Sequence, residues 1–227
     1  CDPMSLKELL NEALESRTVF TVFGIGIDES TVVTWIIMAV VALLCFILTR
    51  GLKLEHISKR QAAVEFAVTK LQSLTQDIAG EHGVRYAPYL ITMLIYLFFA
   101  NIIGVFGFKP PTKSLNVTAS LALMSIILVQ YAAIREKSLK GWLKSFGRPT
   151  KLILPFNILD LITRPLSLCM RLFGNILGAF VIMEILKAVV PVVLPAVFSL
   201  YFDFFDGILQ AYVFVFLTGI YIKEAIE

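Results

Sequence analysis

Three stretches of this chain contain no charged residue, and each is long enough to cross a lipid bilayer as a helix. They cover residues 32–49, 86–108 and 114–134. A helix rises about 1.5 Å per residue, so roughly 20 residues span the ~30 Å hydrocarbon core. Because 58% of the residues are hydrophobic and only 16% are charged, we predict an all-α polytopic membrane protein rather than a soluble domain.

The last third of the chain predicts a different kind of membrane segment. Residues 155–190 form one apolar region of roughly 35 residues, which is ~50 Å as a helix and too long for an upright span. Pro191 and Pro195 mark a turn, and residues 196–222 return as a second long apolar segment. We therefore predict three transmembrane helices followed by a long, steeply tilted two-helix hairpin over residues 155–223.

The segments that flank these helices are polar and predict surface elements of the same membrane domain, which covers the whole chain. Residues 1–31 form an N-terminal segment outside the membrane, and its polar residues 2–17 predict a short amphipathic helix and no cleavable signal peptide. Residues 50–85 place apolar side chains at helical spacing, which predicts an amphipathic cytoplasmic helix that stops at Gly80. Residues 135–154 predict a basic cytoplasmic loop.

The distribution of Lys and Arg beside the spans predicts the orientation. The segments after the first and third helices carry six basic residues each, whereas the segment between the second and third helices carries only Lys109 and Lys113. Cytoplasmic loops are enriched in Lys and Arg. The N-terminus is therefore expected outside the membrane and the C-terminus in the cytoplasm.

The residue types that usually carry enzyme chemistry form no pattern in this chain. Cys1, Cys45 and Cys169 have no spacing typical of a disulfide framework or a metal site. No phosphate-binding loop is recognisable. We expect no disulfide, no metal, no cofactor and no nucleic-acid partner.

Charged residues inside the hairpin predict its function. An arginine at the centre of a membrane helix costs about 2.5–3.5 kcal/mol even on the lenient insertion scale, so it is by default a functional residue with an anionic partner. An ordinary membrane anchor would carry none of the seven charged residues found here, which are Asp160, Arg164, Arg171, Glu184, Lys187, Asp203 and Asp206.

Helical spacing sorts these residues into two groups. At 100° per residue, one face of the first hairpin helix carries Arg164, Ser167, Arg171, Gly174, Asn175 and Gly178. One face of the returning helix carries Asp203, Asp206, Gly207 and Gln210. An acidic region on the outer side and a cation with polar neighbours near the middle predict an ion path with a barrier.

Structural interpretations of the same residues stay open. The face of Arg171 could be a helix-packing surface with a snorkelling arginine, although Arg171 lies far from either end of its segment. Arg164 lies nearer the cytoplasmic end with Asp160 one turn before it, so a structural and a functional role are equally supported. For Glu184 and Asp203 we favour a water-filled cavity over contact with lipid headgroups, whereas for Asp206 the two interpretations are balanced.

Two motifs in the hairpin resemble a known family. The first is Arg171-Leu172-Phe173-Gly174-Asn175, preceded by Arg164-Pro165-Leu166-Ser167, and the second is Leu209-Gln210-Ala211-Tyr212-Val213-Phe214. Together with the order of helices along the whole chain, they resemble subunit a of the bacterial or chloroplast F-type ATP synthase.

The resemblance implies roles for individual residues. Arg171 matches the essential stator arginine, Gln210 the glutamine of the last helix, and Asn175 and Ser167 the polar residues near the cytoplasmic exit. Asn101 matches a common asparagine of the second helix, and Asp203 falls where the outer half-channel has a His or an acid.

The sequence departs from the family pattern at two positions. Phe180 stands where many members have a His or Glu, and Glu184, one turn later on the same face, is its expected substitute. Gly104 replaces an acid that some members have.

The implied function is a stator subunit that is not itself catalytic. It gives protons access to carboxylates of a c-ring through two offset half-channels separated by Arg171. Its implied partners are the c-ring, the peripheral-stalk subunit b and the lipid bilayer. We favour a bacterial plasma membrane over a thylakoid membrane.

Two alternatives remain for the function. One is a sodium-translocating version of the same subunit, because the coupling ion depends mainly on residues of the ring. The other is a stand-alone secondary transporter, although such proteins usually contain inverted repeats and we find none here.

Overall fold

The computed structural model describes residues 18–22, 25–50, 58–106, 110–145, 154–189, 198 and 200–226. Two antiparallel strands come first, β1 (Thr18–Val22) and β2 (Ile25–Asp28). The helices are α1 (Glu29–Thr49), α2 (Lys59–Gly83), α3 (Ala87–Ile102), α4 (Leu115–Ser145), α5 (Leu154–Val189) and α6 (Gly207–Ile226). A π-helical segment, Leu200–Asp206, leads directly into α6. The predicted helix over residues 2–17 and the turn at Pro191 and Pro195 lie outside the described residues.

Five helical segments are long and apolar enough to cross a membrane. They are Glu29–Thr49, Val84–Ile102, Leu115–Ser138, Leu159–Met183 and Leu200–Ile226. The predicted all-α polytopic class is thus confirmed, and the five segments correspond to the three predicted transmembrane helices and the two helices of the predicted hairpin. The first hairpin helix, α5, has 36 residues and Pro165 in its interior. Such a helix is about 54 Å long, and the proline removes one backbone hydrogen bond and favours a bend.

The last helix, α6, lies at the centre of the bundle. It packs against α2, α3 and α4, while α5 packs mainly along α4 and contacts α6 less extensively. The buried residues of α6 recur three and four positions apart around most of its length, and they are Gly207, Gln210, Ala211, Phe214, Val215, Thr218, Gly219 and Ile222. This spacing gives α6 one broad face that is covered by its neighbours.

Side-chain hydrogen bonds connect neighbouring spans. The hydroxyl groups of Thr34 on α1 and Tyr96 on α3 lie 3.2 Å apart. Those of Tyr89 on α3 and Ser125 on α4 lie 3.0 Å apart. Lipid tails are as apolar as leucine side chains, so helix association inside a membrane depends on such hydrogen bonds and on close packing.

Helix α2 is interrupted at Gly80, the residue where the sequence predicted its end. This glycine has φ 72° and ψ 178°, a conformation that is essentially restricted to glycine. Helical conformation resumes for the last residues up to Gly83. The end of α2 packs against α6 on both sides of this break, since Ile78 lies beside Gly219 and the Lys223 side chain lies near Gly80.

Two features differ from the sequence-based expectation. Helix α4 continues to Ser145, well into the basic segment expected to be a loop, with a non-helical residue at Ser138. Lys, Arg and Glu are good helix formers in water, so a helix can leave the membrane without ending. The strand pair at residues 18–28 was not predicted, although the β-branched and aromatic residues of Thr18–Val22 favour a strand.

Gly219 provides a test of the packing between α2 and α6. A Cβ atom at Gly219 would lie 2.6 Å from Cγ2 of Ile78, which is a β-branched side chain with little freedom in a helix. Gly219→Ala should therefore lower stability by about 1–3 kcal/mol, measured as a lower midpoint of thermal unfolding in detergent. Gly174→Ala on α5 is the matched control, because nothing lies within 4 Å of its added Cβ. Equal midpoints for both variants would contradict the observed packing.

Candidate functional site

The face of α5 that carries Arg171 is turned away from the rest of the chain. Leu168 and Leu172, about 60° and 100° around the axis from Arg171, are buried at 1% and 0% exposure. The exposed residues on the Arg171 side are Leu166, Ser167, Met170, Arg171, Gly174, Asn175 and Gly178. The polar and small residues grouped by helical spacing are thus exposed, with the exception of Arg164, which is half-buried.

Arg171 stands in open space on this face. No hydrogen bond or ion pair of Arg171 is found within the described part of the chain. Nothing lies within 4 Å of a Cβ atom built on Gly174 or Gly178. The cation is therefore followed along α5 by an open groove in the sense of two small residues, Gly174 and Gly178, with unoccupied space beside them over about two helical turns, where another helix could approach closely.

Asn175 connects this face to α6. Its Nδ2 donates a hydrogen bond of 2.7 Å to Oε1 of Gln210. Gln210 is 4% exposed, and its Nε2 has no hydrogen-bond partner among the described residues. Two residues that were predicted to belong to one site from separate motifs are thus in direct contact, one turn beyond Arg171.

Arg164 connects the same two helices near their other ends. Its Nη2 donates to Oε1 of Glu224 at 2.7 Å and lies 3.7 Å from Oδ2 of Asp160. Its Cζ atom lies 5.0 Å from the centre of the Tyr221 ring. The sequence analysis identified Asp160 as the neighbouring acid, whereas the structure makes Glu224 the closer partner. With Glu224 58% exposed, solvent screening limits such a pair to about 0–1 kcal/mol.

The two connections share one antiparallel register. On α5 the two bonded residues, Arg164 and Asn175, are 11 residues apart. On α6 their partners, Glu224 and Gln210, are 14 residues apart and in the reverse order along the chain. Arg171 therefore lies between two polar bridges. The sequence analysis did not identify Glu224 as a partner of Arg164. An acid that follows the last apolar run is ordinarily solvated, and Arg164 is 60 residues away in the chain.

A polar cavity of about 290 Å³ lies beside the Arg164–Glu224 bridge. It is bounded by α4, α5 and α6, and its charged or polar lining residues are Gln130, Lys137, Trp142, Asn157, Asp160, Arg164 and Glu224. Nε1 of Trp142 donates to Oε1 of Gln130 at 2.9 Å. This end of the hairpin is thus polar and open.

Asn101 is buried at 2% exposure, away from the open face of α5. Its Nδ2 donates to the backbone carbonyl of Gly207 at 2.9 Å, and its Oδ1 accepts from Oγ1 of Thr112 at 3.0 Å. A Cβ atom at Gly207 would lie 2.9 Å from Cβ of Asn101. The asparagine thus fixes the point where the π-helical segment becomes α6.

The connection between α3 and α4 also reaches α5. Nζ of Lys113 lies 3.1 Å from the centre of the Phe180 ring, a cation–π contact. Lys113 was identified in the sequence only as an outer basic residue, and its contact with an aromatic residue 67 positions later has no local sequence signal.

The three predicted acids, Glu184, Asp203 and Asp206, are near Phe180 or on the returning segment, at the end of the hairpin that is closest in sequence to its predicted turn. Asp206 is half-buried at the end of the π-helical segment, with no hydrogen bond or ion pair to other described residues. Glu184 belongs to α5 and Asp203 to the π-helical segment, and their side chains lie outside what the structure describes.

Comparisons with known proteins identify the family of this chain. The family model described as ATP synthase A chain matches residues 31–223. The chain belongs to the ATP synthase A chain family. It is similar to "ATP synthase subunit a 2" of Bradyrhizobium sp., with 36% identity over 94% of this chain and 95% of that relative. It is also similar to "ATP synthase subunit a" of Moorella thermoacetica, with 35% identity over 92% of this chain and 95% of that relative.

For this member of the ATP synthase A chain family, the hydrogen bonds of Asn101 predict a stability effect. Asn101→Leu leaves the Gly207 carbonyl and the Thr112 hydroxyl without this partner, which should lower stability in detergent by about 1–2 kcal/mol. Thr112→Val removes only one of the two bonds and should cost less. Thermal unfolding of the three proteins measures this order, and an unchanged midpoint in Asn101→Leu would contradict the bonds.

Proposed function

We propose that this chain is the stator subunit that gives protons access to the carboxylates of a rotating ring of c subunits. Arg171 is the fixed charge that separates two offset half-channels. The observation that carries the proposal is the exposure of Arg171 on an open face of a membrane-spanning helix, with no carboxylate partner in the described part of the chain. The chain itself is not catalytic, and the nucleotide chemistry belongs to other subunits.

The cost of placing Arg171 in a membrane supports a partner outside this chain. A bare guanidinium in hydrocarbon costs at least about 2.5–3.5 kcal/mol. Since Gly174 and Gly178 leave the neighbouring surface open, a helix from another subunit can approach and supply the anion. The c-ring, with one buried carboxylate in each subunit, is a partner of this kind.

Electrostatics then explains how Arg171 separates the two half-channels. An opposite charge within about 4–6 Å favours the ionised form of a carboxyl group by roughly 1.4–4 kcal/mol. A ring carboxyl that passes Arg171 therefore releases its proton, and it binds another only after moving on. Arginine suits this role because it keeps its charge when buried, whereas lysine can deprotonate.

The remaining predicted residues are assigned to the two sides of Arg171. Ser167 accompanies the arginine toward the inner exit. Gln210 and Asn175 contact each other one turn beyond Arg171, away from the Arg164–Glu224 end, and we assign them to the outer side. Glu184 and Asp203 line the outer half-channel, with Asp206 as a further candidate there.

Three secondary candidates have roles that their contacts suggest. Arg164 and Asp160 line the polar cavity at the inner end. Asn101 affects the ion path indirectly, by holding Gly207 in place. The NH₂ and the oxygen of its side-chain amide are both occupied by hydrogen bonds within the fold.

The location follows from the same arrangement. The chain is a multi-pass protein of a bacterial plasma membrane that assembles with the c-ring, the peripheral-stalk subunit b and lipid. Among the described residues, five helical segments are long and apolar enough to cross a membrane. This odd number supports an N-terminus outside and a C-terminus in the cytoplasm, as the basic segments predict.

Replacing Arg171 tests the proposal directly. Arg171→Ala should abolish ATP-driven proton pumping in inverted membrane vesicles, because a ring carboxyl then meets no fixed cation, while the c-ring still copurifies. Arg135→Ala is the matched control, since Arg135 is an exposed arginine of α4 that donates to Tyr131, and it should pump as the wild type. Coupled ATP synthesis retained by Arg171→Ala would overturn the proposal.

The open groove beside Arg171 gives a second test. Gly174→Leu fills the space that the ring helix needs, so most of the c subunit should be lost from the purified complex while the subunit still inserts into the membrane. Gly141→Leu is the control, because Gly141 lies on α4, outside this face, with Lys137 as its only neighbour within 4 Å among the described residues. A normal content of c subunit in Gly174→Leu would place the ring on another surface.

A further inference from the structure

Gln210 has a buried polar atom that the fold does not satisfy. Its Oε1 accepts from Asn175, but its Nε2 has no acceptor among the described residues, although the side chain is 4% exposed. Buried amide groups in proteins are nearly always hydrogen-bonded, to protein or to ordered water. The unpaired Nε2 therefore marks a place where a further polar group binds.

The carboxylate of Asp206 also lacks a hydrogen-bond partner among the described residues. It is half-buried and makes no hydrogen bond or ion pair within the described ranges. The residue that follows it, Gly207, is buried and held by Asn101 through a hydrogen bond of 2.9 Å. The backbone that carries Asp206 is thus fixed, and the acid is not part of a mobile end.

The neighbours of Asp206 show which way its face is turned. On the same segment the exposed side chains are apolar or aromatic, with Tyr201 54%, Phe204 44%, Phe205 51% and Leu209 43% exposed. An acid that reached lipid headgroups would share their exposed side. Asp206 is half-buried instead, at the edge of the side that carries the buried residues Gly207 and Gln210.

Helix geometry brings the two unpaired groups together. Gln210 follows Asp206 by four residues, which is about 40° around the axis and ~6 Å along it. Helical side chains lean toward the N-terminus of their helix, so the side chain of Gln210 leans toward the turn that contains Asp206. A donor and an acceptor at this separation are suitably placed to share one water.

We propose that Asp206 is a proton-relay carboxylate, coupled to the free amide N–H of Gln210 through a shared water. This inference rests on the proposed function and gives a mechanism to Asp206, which was only a candidate residue of its outer half-channel. The water accepts a hydrogen bond from Nε2 of Gln210 and donates one to the Asp206 carboxylate. Asp206 takes a proton from outer water to become the neutral acid, then returns it through the shared water to a ring carboxylate. Gln210 neither gains nor loses a proton.

The relay needs no titratable side chain at the position of Phe180. Phe180 lies under the Lys113 ammonium and has no proton to transfer. Asp206 lies on the facing helix, one turn before Gln210, and Gln210 is bonded to Asn175. The relay therefore ends one helical turn from Arg171.

The test uses the complete ATP synthase complex reconstituted in liposomes, with the initial rate of ATP-driven proton uptake as the readout. Asp206→Asn keeps the shape and removes the titrating group, so the rate should fall about tenfold. Asp206→Glu restores a carboxylate and should stay within about twofold of the wild type. The ratio of rates in H₂O and D₂O should rise in Asp206→Asn, because proton transfer becomes limiting, whereas a packing defect leaves this ratio unchanged.

Matched variants separate the possible failures. Asp77→Asn makes the same change at an exposed acid of α2 and should pump as the wild type. Pumping by Asp206→Asn within about twofold of the wild type overturns the relay, as does an equal defect in Asp206→Glu with an unchanged isotope ratio. If Asp206→Asn does not assemble with the c-ring, Asp206→Ser replaces it, and failure of both makes Asp206 a packing residue. Continued pumping by Arg171→Ala instead refutes the proposed function itself.

Discussion

The high cost of an unpaired charge or hydrogen-bonding group in hydrocarbon governs the arrangement of this protein. Some polar side chains in the spans meet this constraint by bonding to a neighbouring helix, as Thr34 does with Tyr96 and Tyr89 with Ser125. Arg171 does not, since it is exposed and unpaired within the described chain. An unpaired cation in a membrane-spanning helix requires an anion from another molecule, and the proposed function follows from that requirement.

Three connections at different depths hold α5 relative to α6 around this cation. Arg164 and Glu224 form one end, and Asn175 and Gln210 form the middle. At the other end the connection is indirect: Lys113 lies on Phe180, and its neighbour Thr112 bonds to Asn101, which holds Gly207. Because α5 otherwise packs mainly along α4, these polar contacts determine where Arg171 lies along the last helix.

Glycine has opposite uses on the two helices of the hairpin. On α6, Gly207 and Gly219 are needed because Asn101 and Ile78 lie too close for a Cβ atom. On α5, Gly174 and Gly178 have open space beside them. The first pair lets the bundle close around α6, and the second leaves room for a partner. Spacing predicts that small residues allow close approach, but only the tertiary structure shows which glycines pack within the chain and which have open space beside them.

The sequence by itself determined the fold class, the five spans and the face that carries Arg171. Each of these depends on local quantities, namely the length of an uncharged run and the 100° rotation per residue of a helix. It also identified Asn175 and Gln210, through motifs 35 residues apart.

Tertiary structure alone decided the partners of these residues. Glu224 rather than Asp160 is the closer partner of Arg164, and Lys113 meets Phe180, because those pairs depend on the register of helices far apart in the chain. Burial of Asn101 and the orphaned amide of Gln210 likewise depend on which neighbours cover α6. Periodicity along one helix specifies which side chains share a face, but it carries no information about what lies opposite that face.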